Sequence, residues 1–339
     1  MNATESSAPQ AVLSAAQQVW RSLPEGIRDS AAARAARRAT VGLITGSTPE
    51  EPRVIRTLAE LDQMIARLEQ AVRSSDDDLR RGFRSFRMEL DWSMPADPFS
   101  PAYRRAVLEM YEWLHGGPYS VDNESTPFDM DSALVRPFPY LTGSPATVGD
   151  YLIAIGHLVR TVGLGPGSRV LELGPGWGNV AVPLAQLGCE VTVMDVSPPF
   201  VDLVAARGRQ VGVEIDARVG DFSSVEQVAA GDRPFDAVVF FESFHHCADH
   251  TELLEKLGAM VAPGGRLVFA AEPVERRFWQ PWGLRLDGES LWAIRRNGWL
   301  ELGFRRDYFL EALRRAGWRA ELVACSATPW GQAWVARRA

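Results

Sequence analysis

Leu58, Leu61, Ile65, Leu68 and Val72 recur at intervals of three and four, which sets one apolar stripe along a helix beginning near Val54. Similar spacing predicts helices over about 77–90, 101–114 and 147–162, the last closing at Gly163. Beyond residue 165 the period changes. Short segments at 170–173, 190–195, 213–218, 236–241 and 263–270, apolar-rich except for the alternating third, read as strands, with a helix predicted at 179–187 between the first two. Strands alternating with helices in this way predict a doubly wound α/β fold, a mostly parallel sheet covered on both faces. A helix over 307–317 then precedes runs at 320–325 and 332–337. Only Thr328-Pro329-Trp330-Gly331 and its immediate neighbours separate those runs, too few residues for a crossover, so they must be antiparallel neighbours. The expected sheet has seven strands, with the last one reversed.

Other segments break the periodicity. Residues 1–10 are polar and expected to be disordered, 11–39 are rich in alanine and arginine and read as a solvated helical face, and 46–52 read as a linker. The stretch 116–144 mixes Gly, Pro, Asp and aromatic residues and is expected to be an ordered loop. Phe278, Trp279, Trp282, Trp292 and Trp299 fall within 272–303, which reads as an insertion after the fifth strand. The division expected is a helical N-terminal extension with an aromatic loop over 1–140 and an α/β domain over 141–339.

A chain of 339 residues with 46% hydrophobic content is long enough for a packed core plus an extension. A net charge of −7 argues against a general nucleic-acid or anionic-membrane partner. Cys189, Cys247 and Cys325 are widely spaced and odd in number, as expected of reduced thiols in a cytoplasmic protein. The first ten residues lack the apolar region of a secretory signal, and no apolar run is long enough to span a bilayer.

The first strand runs directly into Glu172-Leu173-Gly174-Pro175-Gly176-Trp177-Gly178. Glycines there permit a tight turn and a close approach of backbone to a ligand. The spacing is not the G-x-G-x-x-G of dinucleotide sites, which disfavours an NAD-dependent oxidoreductase. Glu172 would repel a pyrophosphate but attract a cationic ligand, so S-adenosylmethionine fits better. Asp195 ends the next strand, 23 residues after Glu172, where an acid can hold ribose hydroxyls. Asp221 is placed to bond an adenine amine and Phe222 to lie against the ring. With the strands at 236–241 and 263–270, these motifs resemble the class I S-adenosylmethionine-dependent methyltransferases over about 141–339. The resemblance implies that Glu172, Gly174, Gly176, Gly178, Asp195, Asp221, Phe222 and Glu242 form the cofactor site.

Methyl transfer to a hydroxyl needs alignment and removal of a proton. The fourth strand exits into Glu242-Ser243-Phe244-His245-His246-Cys247-Ala248-Asp249-His250, which holds three of the five histidines. His245 or His246 is the expected base, with His246 preferred. Glu242, His245, His246, Asp249 and His250 offer donors for a divalent ion, but Glu272-Pro273 stands where the catechol type carries an Asp-Asn pair, and no metal is expected. The aromatic run of DNA amino-methylating enzymes and the paired glutamates of arginine methyltransferases are also absent, leaving a hydroxyl acceptor as the preferred class. Trp279 and Trp282, with Tyr140 from the aromatic loop, are expected to receive a saccharide or other polyhydroxylated acceptor, while Glu124, Asp129 and Asp131 read as loop acids. A catalytically silent methyltransferase-like assembly domain is the alternative, disfavoured by the intact glycine loop and Asp195.

Overall fold

The computed structural model describes residues 51–72, 75–229 and 233–339; the readings made for 1–39 and most of the 46–52 linker lie outside the described residues. The central sheet comprises β1 Arg169–Leu173, β2 Glu190–Asp195, β3 Asp216–Val219, β4 Phe235–Phe241, β5 Val261–Ala270, β6 Trp318–Ala324 and β7 Gln332–Arg338. Their spatial order is β6-β7-β5-β4-β1-β2-β3. The strands β1 to β5 pair in parallel, and β7 runs antiparallel to both β5 and β6. The reversed last strand is thus wedged between β5 and β6.

Strand β4 shows why apolar runs become strands here. Val238 and Phe240 pack into one core with Leu171, Phe269 and Phe309, while Ala237, Val239 and Phe241 pack into the other with Val170, Val193 and Val268. Both faces are covered, so alternate polar positions are not needed. The register sets Leu173 opposite Met194 and Phe241 opposite Ala270, which brings the exits of β1, β2, β4 and β5 to one edge.

The helix expected from near Val54 begins at Leu58, Val54 lying instead in the strand Arg53–Ile55; Leu61 and Leu68 of the expected stripe are buried together with Met64, while Leu58 and Ile65 are half-buried. The helix expected over 77–90 instead spans Asp76–Phe83 and gives way to a strand, Phe86–Met88, parallel to Arg53–Ile55. Phe86 and Met88 are buried and Arg87 is exposed, a period of two that the longer helical pattern conceals. Gly82 faces the preceding helix so closely that a Cβ would lie 2.4 Å from the Leu68 side chain. The helix expected at 179–187 contracts to Ala181–Gln186, and the third strand is Asp216–Val219.

The 272–303 stretch contributes Val274–Glu275, Trp282–Leu284 and the helix Gly288–Asn297; with Leu302–Arg305 it forms a three-stranded sheet. This region packs on the N-terminal extension. Tyr103 donates to the Trp282 carbonyl at 2.9 Å, Arg295 pairs with Asp62 at 2.7 Å, and a Cβ on Gly288 would strike the Phe83 carbonyl. Extension and insertion therefore form one layer, though Tyr103 and Trp282 are 179 positions apart in sequence and Asp62 and Arg295 are 233. No helix among the described residues is long and apolar enough to cross a membrane.

Candidate active site

A cavity of about 1120 Å³ opens at the exits of β1, β2, β4 and β5, with walls added by the 119–141 segment and the 272–303 insertion. Its first pole is the glycine loop. Gly174, Gly176 and Gly178 all have positive φ, which a side chain resists, but they serve different ends. Only Gly176 faces open space; a Cβ on Gly174 would lie 2.6 Å from Ser243 Cβ, and one on Gly178 2.8 Å from Val204. The contact with Val204 gives Gly178 a packing reason to be glycine.

Glu172 is 1% exposed, and its Oε2 has no hydrogen-bond partner. Burial pushes its carboxyl up to about 8, against the opposing pull of the Ala181 backbone and Arg207. Asp195 Oδ2 accepts from Gly176 N–H at 3.2 Å and Oδ1 from Ser197 N–H at 2.9 Å; burial raises this carboxyl to about 6. An orphaned buried carboxyl oxygen beside an open glycine suits a cationic ligand and disfavours a pyrophosphate. Asp221 and Phe222 also line the cavity. Asp221 Oδ1 caps the following turn through Ser223 N–H at 2.7 Å and Ser224 N–H at 3.2 Å, and Phe222 packs against Phe240.

The middle of the cavity holds the histidines. Glu272 Oε1 accepts from the backbone N–H of Ser243 at 3.0 Å and of Phe244 at 2.9 Å; Oε2 accepts from His245 N–H at 3.1 Å and lies 2.8 Å from His245 Nδ1. Burial alone would push the Glu272 carboxyl up, but His245 and these N–H groups hold it below the ordinary value. His246 Nδ1 lies 3.0 Å from Glu124 Oε2, within ion-pair reach but off the line of a hydrogen bond, so that nitrogen is without a hydrogen-bond partner. Burial would lower the His246 pKa, yet Glu124, Glu301 and Glu272 together raise it to about 9. Glu124 is itself fixed by the Tyr119 hydroxyl at 3.0 Å and Leu300 N–H at 2.8 Å, which corrects its reading as a loose loop acid. Asp129 does act locally, capping the helix Met130–Val135.

The donor set considered for a metal is dispersed. His250 Nε2 bonds the Tyr308 hydroxyl at 2.8 Å, and burial depresses its pKa to about 4, so it is a neutral packing residue. Asp249 pairs with Arg104 at the surface. His245, His246 and Glu301 do bring one ligand atom each to within 4.8 Å of one another. Each is already matched, however: His245 to Glu272, His246 to Glu124, and Glu301 to Arg285 at 3.2 Å.

The lining also includes Tyr140, Glu242, Arg285, Glu289 and Trp292. Tyr140 meets the Trp292 ring edge-on at 5.7 Å. Burial, then Glu289 and Glu272, push the Glu242 carboxyl up to about 8, so this residue responds mainly to the insertion rather than to the glycine loop. Tyr140, Leu141, Glu242 and Ala271 are the non-glycine residues with positive φ among the described residues, and all four line this cavity. Backbone strain of this kind persists where the surroundings enforce it and gathers at functional sites.

Trp279 and Trp282 stand outside the cavity, contrary to expectation. Trp282 is 3% exposed, donates to the Pro98 carbonyl at 2.8 Å and packs against Tyr103 and His250; Trp279 donates to the Leu284 carbonyl at 3.0 Å. The insertion tryptophans that reach the cavity are Trp292 and Trp299. Sequence reasoning also passed over Glu289 and Glu301, which no periodicity marks, and noticed Glu272 only for the pair it replaces. A glutamate just past the end of a parallel strand was the available signal.

Residues 151–319 match the model of a family described as a methyltransferase domain. A ubiquinone biosynthesis O-methyltransferase of Xanthomonas axonopodis pv. citri is 36% identical over 102 residues, which are 30% of this chain and 41% of that protein. The chain thus spans less than half the length of that curated relative. Among solved structures, the magnesium protoporphyrin IX methyltransferase of Synechocystis PCC 6803 with bound SAH is 16% identical, covering 56% of this chain and 84% of that one, with a TM-score of 0.40. The CcbJ methyltransferase of Streptomyces caelestis is 19% identical, covering 58% and 97%, with a TM-score of 0.41.

Proposed function

Because the chain belongs, through residues 151–319, to the class I S-adenosylmethionine-dependent methyltransferases, we propose that it methylates a hydroxyl oxygen of a small polyhydroxylated acceptor, with saccharides as the leading class. The observation that carries this reading is that His245 and His246 line the same cavity as the glycine loop, the rings of Tyr140, Trp292 and Trp299, and the acids Glu242 and Glu289. When bound, S-adenosylmethionine supplies a methyl carbon already activated by its sulfonium. Glu172 and Asp195 would hold the ligand's ammonium and ribose, and Asp221 and Phe222 would meet its base. Tyr140, Trp292 and Trp299 offer apolar faces to the acceptor, and Glu242, Glu289 and Arg285 offer partners for its hydroxyls. An imidazole of the histidine pair takes the hydroxyl proton. A cytoplasmic setting fits the three free cysteines.

Purified protein incubated with methyl-labelled S-adenosylmethionine and a panel of glycans, nucleotide sugars and phenols should yield an O-methyl product identifiable by NMR. Products methylated only at nitrogen or carbon would overturn the proposal.

Asp195→Ala is expected to weaken S-adenosylhomocysteine binding by about 1.5–3 kcal/mol, roughly ten- to a hundredfold, through loss of charge-assisted bonds. The raised carboxyls also set a pH dependence. An ammonium favours ionised Glu172, so in the wild type affinity should rise with pH up to about 8 and binding below that pH should release a proton. Calorimetry in buffers of different ionisation enthalpy reads both effects; affinity that is flat from acid to neutral pH denies Glu172 this role.

The ion pairs already made by His245, His246 and Glu301 predict turnover that survives exhaustive chelation. Activity lost to EDTA and restored by magnesium would reverse this expectation and make those three residues ligand candidates.

A further inference from the structure

We infer that Glu272 is the positioning residue of the site, fixing His245 with its proton on Nδ1 so that Nε2, rather than any atom of His246, receives the acceptor's proton. The inference rests on the O-methylation reading only for its kinetic consequence.

The chain delivers Glu272 by a bend. After β5, Ala271 adopts φ 57° while its N–H stays tied to the Gln332 carbonyl at 2.9 Å, and the next side chain passes beneath the 243–245 turn. There the carboxylate receives two contacts on each oxygen, from Ser243 and Phe244 on Oε1 and twice from His245 on Oε2. An ionised carboxylate is acceptor-only with about four lone-pair sites, so this one is saturated. Three of the four partners are backbone N–H groups that can only donate. The fourth, His245 Nδ1 at 2.8 Å, must also donate, because a bare ring nitrogen would face a carboxylate lone pair with no proton between them. A neutral His245 then carries its free lone pair on Nε2. That atom points toward Glu301 Oε2, 3.8 Å away, a carboxylate already matched by Arg285.

His246 is held by one carboxylate contact rather than by a side chain that also ties the 243–245 backbone. The carboxylate it faces belongs to Glu124, at the end of the 3-10 turn Val121–Glu124, and lies off the hydrogen-bond direction of Nδ1. Glu272 also registers the base against the cofactor loop. The Ser243 it holds donates its hydroxyl to the Leu173 carbonyl at 2.7 Å and packs on Gly174, where a Cβ would lie 2.6 Å from Ser243 Cβ. One buried carboxylate therefore sets both the tautomer of the imidazole and its distance from the glycine loop. As the imidazole gains a proton, the same carboxylate is in place to stabilise the cation.

The test is the tautomer itself. In protein carrying 15N-histidine, two-bond nitrogen–proton spectra at the alkaline edge of the stable range should show His245 with Nδ1 protonated and Nε2 bare, the signals assigned with His245→Asn. In Glu272→Gln the amide NH₂ turned toward His245 removes the acceptor, so the proton should move to Nε2. In that variant kcat should fall by roughly 10²–10⁴, as expected when a base is held in the wrong tautomer, with S-adenosylhomocysteine affinity changed only a few-fold. Glu272→Asp, which keeps the charge, should retain the Nδ1 tautomer and recover part of the rate. A proton on Nε2 in the wild type, alone or beside one on Nδ1, overturns the inference, as does an unchanged tautomer in a folded Glu272→Gln. If that variant does not fold, the wild-type spectrum decides alone. The expected tautomer with no O-methyl product would retire the O-methylation reading and leave the positioning role standing.

Discussion

Replacing His245 by alanine is expected to lower kcat by roughly 10²–10⁴, the range lost with a general base, while S-adenosylhomocysteine binds almost as before. The separation is expected because His245 contacts the Glu272 carboxylate, whereas the cofactor contacts we propose fall to Glu172, Gly176 and Asp195. His246→Ala should have the smaller effect on kcat. At neutral pH the His246 ring, its pKa raised to about 9 among Glu124, Glu301 and Glu272, is already protonated and has no lone pair to offer. Its expected contribution is electrostatic, a positive charge among Glu124, Glu301 and Glu272. Steady-state rates for both variants, read beside calorimetric affinity, assign the two roles. A greater loss in His246→Ala would return the base to His246, the histidine preferred from sequence. Near-normal turnover in both variants would leave the pair a packing role.

Sequence reasoning reached the sheet because its signal is burial on both faces. Val238 and Phe240 enter one core and Val239 and Phe241 the other, so the apolar run at 236–241 marks a strand without reference to any partner. The glycine loop was legible for a similar reason, since positive φ at Gly174 and Gly176 constrains residue type locally. What depends on a distant neighbour was not legible. Phe86–Met88 needs Arg53–Ile55 to become a strand, and only their pairing reveals the break in the helical pattern. His245 and His246 are equivalent in sequence and become distinct only when Glu272, 27 residues beyond His245, closes on one of them. Gly178 looks like its neighbours until Val204 is seen against it. Composition likewise cannot say which side of an aromatic cluster a cavity lies on, and that uncertainty led to Trp279 and Trp282 being favoured over Trp292 and Trp299.

Trp282→Ala should therefore act on stability rather than on acceptor recognition, lowering the unfolding free energy by about 3–5 kcal/mol, the usual penalty for deleting a buried indole. The indole is 3% exposed and packed among Tyr103, His250, which it meets edge-on, and Tyr308. Its N–H is satisfied by the Pro98 carbonyl, and truncation leaves that acceptor without its donor as well as opening a void. The residue lies where the extension meets the insertion: Tyr103 and Pro98 belong to the first, and Trp282 pairs with Phe304 in the small sheet of the second. A cavity there weakens the packing of the extension on the insertion, so activity should fall with the folded fraction and recover at lower temperature, while the acceptor KM of the folded enzyme holds. Trp292→Ala is the contrasting variant, because that ring lines the cavity and meets Tyr140; it should raise the acceptor KM. Thermal melts paired with KM separate the two cases. A Trp282→Ala protein with an unchanged melting temperature and a raised acceptor KM would restore Trp282 to the acceptor wall and require a cavity extending beyond Trp292.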